Sequence, residues 1–209
     1  MPPKTYVYVD GFNLYYGAVK GTPHKWLNIR RLCELLLPHH SIAKIKYFTA
    51  RVSARKNDPH QPIRQQMFLR ALRTVPDLEV VYGSFLSHDV TMPLAEPSLG
   101  GPRFAKVTRT EEKGSDVNIA AHLIRDAYQR NFEIAVLVTN DSDLLEPMKI
   151  VRYELHLQVG ILNPQRRPSM DLSKHASFIK QIREGALRSS QFPETLKDAN
   201  GEFHRPATW

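Results

Sequence analysis

The chain has 209 residues, enough for one domain with a sizeable core, and its 42% hydrophobic and 24% charged content argues against a disordered chain. Lys and Arg number 29 against 21 Asp and Glu, giving +8 and a pI near 9.6, the sign expected of a protein that meets a polyanion. A single cysteine, Cys33, excludes an internal disulfide and a cysteine-based zinc site, and no apolar run approaches the ~20 residues of a membrane span.

The first residues, MPPKTYVYV, enter a strand without the layout of a signal peptide, so a cytoplasmic protein is expected. Lys4–Val9 reads as that strand. It stops at Asp10-Gly11-Phe12-Asn13, which places Asp10 at its carboxyl end and Asn13 beside it as a helical turn begins. Asp-Gly by itself is an ordinary turn dipeptide. Asn28 caps a helix with the apolar stripe Ile29, Leu32, Cys33 and Leu36, stopped by Pro38, with Glu34 on its solvated face. Residues 41–52 alternate Ala43, Ile45, Tyr47 and Thr49 on one side, a second strand. A basic loop over 53–61, with Arg55, Lys56 and His60, leads to Pro62, which opens a helix. Its expected buried stripe is Ile63, Met67, Ala71, Leu72 and Val75, with Arg64, Arg70 and Arg73 off it.

Leu78–Tyr82 is a third strand. Residues 84–113 are Pro- and Gly-rich and read as an exposed hairpin-like insertion that brings Lys106, Arg109 and Lys113 toward the end of the first strand. Ser115 is an N-cap candidate for a helix with the stripe Val117, Ala120, Ala121, Ile124, Ala127 and Tyr128. Asp116 falls in its first turn, where the helix dipole alone accounts for a carboxylate. His122 and Asp126 are assigned to solvent. The stretch EIAVLVTNDSDLLE then combines a doubly buried strand, Ile134–Val138, with a polar loop holding Asp141 and Asp143, and a helix marked by Leu144, Leu145, Met148 and Val151. Two neighbouring aspartates repel each other, so a cation or a proton must offset them. Residues 156–162 are a fifth strand, Gln165-Arg166-Arg167 is a basic turn, and 177–182 lead into a final helix ending near Arg188. From Phe192 the periodicity fades. The expected organisation is one domain over 1–190 and a tail over 191–209, disordered or clasping a partner.

Strands alternating with helices imply a parallel sheet covered on both faces, and right-handed crossovers bring every strand-to-helix loop to one edge. Asp10, Asn13, Asp141 and Asp143 share that edge, and Asp116 can join them. The sequence contains no G-x-G-x-x-G, no phosphate-binding P-loop, no H-E-x-x-H and no nucleophile elbow. What remains is an all-oxygen cluster, which suits Mg²⁺ or Mn²⁺.

Three motifs occur in order: Asp10-Gly11-Phe12-Asn13, Glu112-Lys113-Gly114-Ser115-Asp116-Val117 and Thr139-Asn140-Asp141-Ser142-Asp143-Leu144. Together they resemble the NYN domain family, a branch of the PIN-like nucleases, over roughly residues 5–162. The resemblance implies an α/β fold, a PIN-like three-layer α/β/α sandwich with a central, mostly parallel sheet, and a metal-dependent ribonuclease. It assigns Asp10, Asp116, Asp141 and Asp143 to the metal, with Asn13 as their polar companion. Leu144 stands where members often have an aromatic and Asn140 where a Gly is frequent; neither change removes a carboxylate. On this reading Thr139 and Ser142 orient a ligand or the scissile phosphate, and Lys113, Arg109 and Lys106 position the RNA backbone. Two rival readings are a noncatalytic RNA-binding module with a vestigial cation site and a hydrolase of another phosphoester such as a DNA flap. A basic surface does not separate RNA from DNA. No membrane partner is expected, and a homo-oligomer is left open.

Overall fold

The run KTYVYVD, rich in β-branched and aromatic residues, forms β1 (Lys4–Asp10), the inner strand of a six-stranded sheet in the computed structural model. The structure describes residues 1–54, 57–97, 100–207 and 209; Arg55 and Lys56 of the basic loop lie outside them. The other strands are β2 (Ser41–Thr49), β3 (Leu78–Tyr82), β6 (Ile134–Val138), β7 (Gln158–Asn163) and β8 (Phe178–Gln181). They pair in the order β3-β2-β1-β6-β7-β8, and every pairing is parallel. The chain therefore winds outward from β1 on one side through β2 and β3, then returns to start β6 on the other. The crevice between β1 and β6 is the point where the winding direction reverses, the place at which open α/β sheets bind ligands.

Both faces of the sheet are covered. Val7, Val9, Val136 and Val138 face a core shared with the helices α2 (Ile29–Leu36), α3 (Gln61–Arg73) and α7 (Glu184–Ser189). Tyr8, Ala135 and Leu137 face the opposite core, formed with α4 (Ser115–Tyr128), α5 (Leu145–Lys149) and α6 (Met170–His175). This period-two division between two apolar layers is why the strands read as near-continuous hydrophobic runs. It is the three-layer α/β/α sandwich expected from the sequence.

Several local expectations shift. Asn28 does cap α2, accepting the Arg31 N–H across 3.1 Å. The cap of α4, however, is Gly114 at φ +95°, and Ser115 is the first helical residue, with its N–H and hydroxyl both donated to Glu112 Oε1. The buried face of α4 is Ile119, Leu123 and Ala127, rotated from the expected stripe so that Val117 is 71% exposed. In α3, Leu69 is buried while Ile63 faces solvent. Asp126 is not solvated: it accepts from Tyr8 Oη (2.8 Å) and from the Lys46 ammonium inside the second core.

Residues 84–113 supply an antiparallel hairpin, β4 (Ser84–Pro93) and β5 (Phe104–Lys113), anchored by edge-to-face packing of Phe85 on Phe12 at 5.7 Å. In the segment expected as a tail, β9 (Thr195–Asp198) and β10 (Gly201–His204) form a second hairpin, which buries Phe203 against the first core. Arg70 holds Asp198 with two hydrogen bonds of 2.7 Å and lies 4.1 Å over the Phe203 ring. Short strands interrupted by Pro and Gly leave no periodicity to read, but Trp26, Phe192, Phe203 and Trp209 give this segment an apolar face of its own.

Candidate metal centre

β1 ends at Asp10, and the helical turn Gly11–Leu14 (α1) begins on the next residue. Asp10 caps that turn, its Oδ1 accepting the Asn13 N–H across 2.9 Å. Gly11 is required by close approach: a Cβ there would lie 2.7 Å from the Phe48 carbonyl oxygen and from the Tyr47 ring. β6 ends in the same crevice. Thr139, fully buried, donates its hydroxyl to Asp10 Oδ2 (3.2 Å) and accepts the Asp141 N–H (3.1 Å). Asp141 in turn caps the short 3-10 turn Ser142–Leu144 by accepting the Asp143 N–H across 3.0 Å. The two strand ends are further tied by the Asn140 N–H, which donates to Asn13 Oδ1 (3.0 Å).

Asp116, from the first turn of α4, closes the third side. One carboxylate oxygen each from Asp10, Asp116 and Asp141 falls within a common 4.8 Å. Asp143 lies outside this trio and points from the exposed surface of the turn. Asp10 is only 6% exposed, and burial pushes its carboxyl up to about 6; the Asn13 and Thr139 hydrogen bonds oppose that rise, while Asp116 and Asp141 add to it. Burial, with repulsion from Asp141, Glu112 and Asp143, also raises Asp116. Carboxylates held together without a counter-charge are destabilised as anions, and a hard divalent cation relieves all of them at once. A set of three carboxylate oxygens suits such an ion, so this trio can hold a metal.

The remaining sequence-derived candidates are distributed unevenly. Asn13 lines the crevice and holds the Asn140 loop in place. Ser142 is exposed on the turn. Lys106, Arg109 and Lys113 lie on β5, where Lys106 pairs with Asp89 and both others share Glu111, so two carboxylates offset part of their charge. Residues that the sequence left unassigned complete the cleft: Phe12, Tyr16, Glu112 and Gln165 line it together with Asp10, Asn13, Ser115, Asp116 and Asp141. An adjoining cleft is lined by Asn13, Gly17, Asn140, Gln165, Arg166 and Arg167. Arg166 and Arg167 are exposed and make no ion pair among the described residues. Their signal was present as the basic turn 165–167, but nothing in the linear sequence set that turn beside Asp10.

This arrangement has known counterparts. Residues 4–183 match the NYN domain family. The chain belongs to that family. NYN domains are nuclease-like, and their nucleases are in general metal-dependent, in keeping with the acidic trio. The fold is similar to a crystal structure of a protein of unknown function from Vibrio parahaemolyticus, with a TM-score of 0.58 and 18% identity, covering 91% of this chain and 97% of that one. In sequence the chain is similar to a relative named 6-hydroxy-3-succinoylpyridine 3-monooxygenase HspA, from Pseudomonas putida. The two are 29% identical over 239 aligned positions, spanning all of this chain and 76% of the relative. Among the described residues no helix is long and apolar enough to cross a membrane.

Proposed function

We propose that this NYN domain is a Mg²⁺- or Mn²⁺-dependent endoribonuclease of the cytoplasm that hydrolyses RNA phosphodiester bonds. The observation that supports this most is the convergence of Asp10, Asp116 and Asp141 within 4.8 Å at the sheet's switch point. These three would hold the ion, and Asp143 would act through its N–H to Asp141 and through its charge. When bound, such an ion polarises a phosphodiester oxygen and favours ionisation of an attacking water. Thr139 ties the Asp10 carboxylate to the backbone N–H of Asp141, and Asn13 ties the two loops together. Arg166 and Arg167, rather than the internally paired Lys106, Arg109 and Lys113, would take the RNA backbone first. Cleavage of a labelled mixed-sequence RNA by purified protein, with Mn²⁺, with Mg²⁺ and with EDTA, tests the proposal. Metal-dependent cutting that Asp141→Asn removes is the expected result; RNA binding without cutting in either metal would leave a noncatalytic RNA-binding module instead.

A second reading has one specific support. The relative's name denotes an oxygenase acting on a substituted pyridine, and an aromatic-walled cavity adjoins the acidic cleft here. Ring hydroxylation would consume O₂ and two electrons from a reductant. Oxygen uptake dependent on a hydroxypyridine and an added two-electron reductant, in the absence of any RNA cleavage, would select it.

A further inference from the structure

Behind the acidic cleft, on the α1 side of the sheet, lies a partly enclosed cavity of about 100 Å³. Its walls include the aromatic rings of Phe12, Tyr15, Tyr47, Phe68 and Trp209. Cavities of about 150 Å³ accept a benzene-sized ring, so the space is of the right order for one planar six-membered ring. Within that wall Phe68 meets Tyr47 and Trp209 edge-to-face at 6.1 and 5.6 Å.

The lining is also net positive. Arg64 and Lys25 supply two cations there against one carboxylate, Asp58. Arg64 spends one nitrogen on Asp58 at 2.5 Å, while its Nε is buried with no hydrogen-bond partner. A buried donor without an acceptor costs about 1–3 kcal/mol, and an incoming anion is the group that would satisfy it. Lys25 makes no ion pair among the described residues. The charge here is opposite to that of the neighbouring acidic cleft, and Phe12 and Tyr16 form the wall between them. A ligand's ring and anion can therefore sit next to the carboxylate trio without meeting it.

We infer that this cavity is a binding site for a planar aromatic ring bearing an anionic substituent, either a nucleotide of an RNA strand or a free aromatic carboxylate. The inference does not depend on the acidic centre's chemistry, because none of the three clustered aspartates lines the cavity.

Isothermal titration of the full chain in EDTA separates the two questions, since the metal centre is then silent. The probes are uridine 5′-monophosphate, uridine without its phosphate, and pyridine-3-carboxylate. Saturable one-to-one binding of either anionic probe is expected, weakened at least about tenfold in Arg64→Gln and in the half-exposed Lys25→Gln, with uridine binding correspondingly worse. Binding of the nucleotide assigns the cavity to a base of the RNA, and binding of the pyridine acid assigns it to a free small molecule. No saturable heat from either at millimolar concentration overturns the inference, and so does binding that both variants leave unchanged.

Discussion

Asn13 and Asn140 are joined by a 3.0 Å hydrogen bond, the backbone N–H of Asn140 donating to the side-chain oxygen of Asn13. The loops leaving β1 and β6 are thereby fixed to one another, although 127 residues separate them in sequence. Asn140 passes the constraint on, accepting the Ser169 N–H at 2.6 Å and donating to the Arg167 carbonyl at 3.1 Å. Asn13→Ala removes the acceptor but no carboxylate. It is expected to weaken Mn²⁺ binding by roughly 10–100-fold, as loss of an orienting partner around a metal site commonly does, with little change in unfolding midpoint. Calorimetric titration with Mn²⁺ reads this directly; unaltered affinity would mean that the carboxylates hold their positions without the tie.

Asp10 gives the metal-free protein a pH dependence of opposite sign to that of most aspartates. Its carboxyl is pushed up to about 6 from an ordinary 3.8. The folded chain therefore holds this proton more tightly than the unfolded chain. The group's contribution to stability is fully present at low pH and is lost as pH rises through about 6, on the order of 2–3 kcal/mol at neutral pH. Asp10→Asn should raise the melting temperature of EDTA-treated protein at about pH 7.5 and bring no gain near pH 4. Excess Mn²⁺ should reverse the order, stabilising only the native chain. A variant that melts lower than the native chain at neutral pH in EDTA would contradict the burial of a strained carboxylate here.

The strand ends, the polar loops after them and the parallel character of the sheet were legible because each rests on local chemistry: an apolar run, a carboxylate, then a helix start. Asp10 and Asp141 could be grouped from sequence by the handedness of the crossovers, whereas Asp116, at a helix start after the hairpin, could only be said to be able to join them. The cap that Asp141 forms over the Asp143 N–H could not be read, since a two-residue step in a loop has no fixed direction in sequence. Asp126 was misassigned because the apolar stripe of α4 was placed on the wrong face. It lies on the Ile119, Leu123 and Ala127 face, where a lone carboxylate among apolar positions reads as solvated until Tyr8 and Lys46 are seen to meet it. The cavity behind Phe12 was out of reach because its walls come from five separate segments, including Trp209.

The Lys46–Asp126–Tyr8 cluster makes a stability prediction distinct from the site. Lys46 is 4% exposed and Asp126 2%, so each charge depends on the other. Burial alone would raise the Asp126 carboxyl, but hydrogen bonds from Lys46 and Tyr8 outweigh it and hold it below the ordinary value. That contribution is present above pH 3.8 and fades as pH falls through the folded value. Asp126→Ala strands the Lys46 ammonium in an apolar layer and should cost about 3–5 kcal/mol at neutral pH, seen as an earlier urea midpoint. The double variant Lys46→Met with Asp126→Leu should recover most of the loss, because it removes both charges together.

Arg166 and Arg167 are distinguished from the hairpin cations by what surrounds them. Lys106, Arg109 and Lys113 each face a carboxylate of their own hairpin, so a phosphate arriving there must displace an existing ion pair. Arg166 and Arg167 line the cleft beside Asn13 and Asn140, exposed and without such a competitor among the described residues. Each phosphate neutralised on a single strand releases counterions and adds about −0.7 to the slope of log affinity against log salt. Replacing both arginines by Gln should therefore weaken RNA binding uniformly across sequences and flatten that slope by about 1–1.5. Lys106→Gln should leave the slope nearly unchanged. Fluorescence anisotropy of a labelled single-stranded RNA in EDTA, measured over a salt series, gives both slopes without interference from cleavage. If Lys106→Gln flattens the slope and the arginine pair does not, the RNA approaches over the hairpin and the cleft beside Asn140 faces away from it.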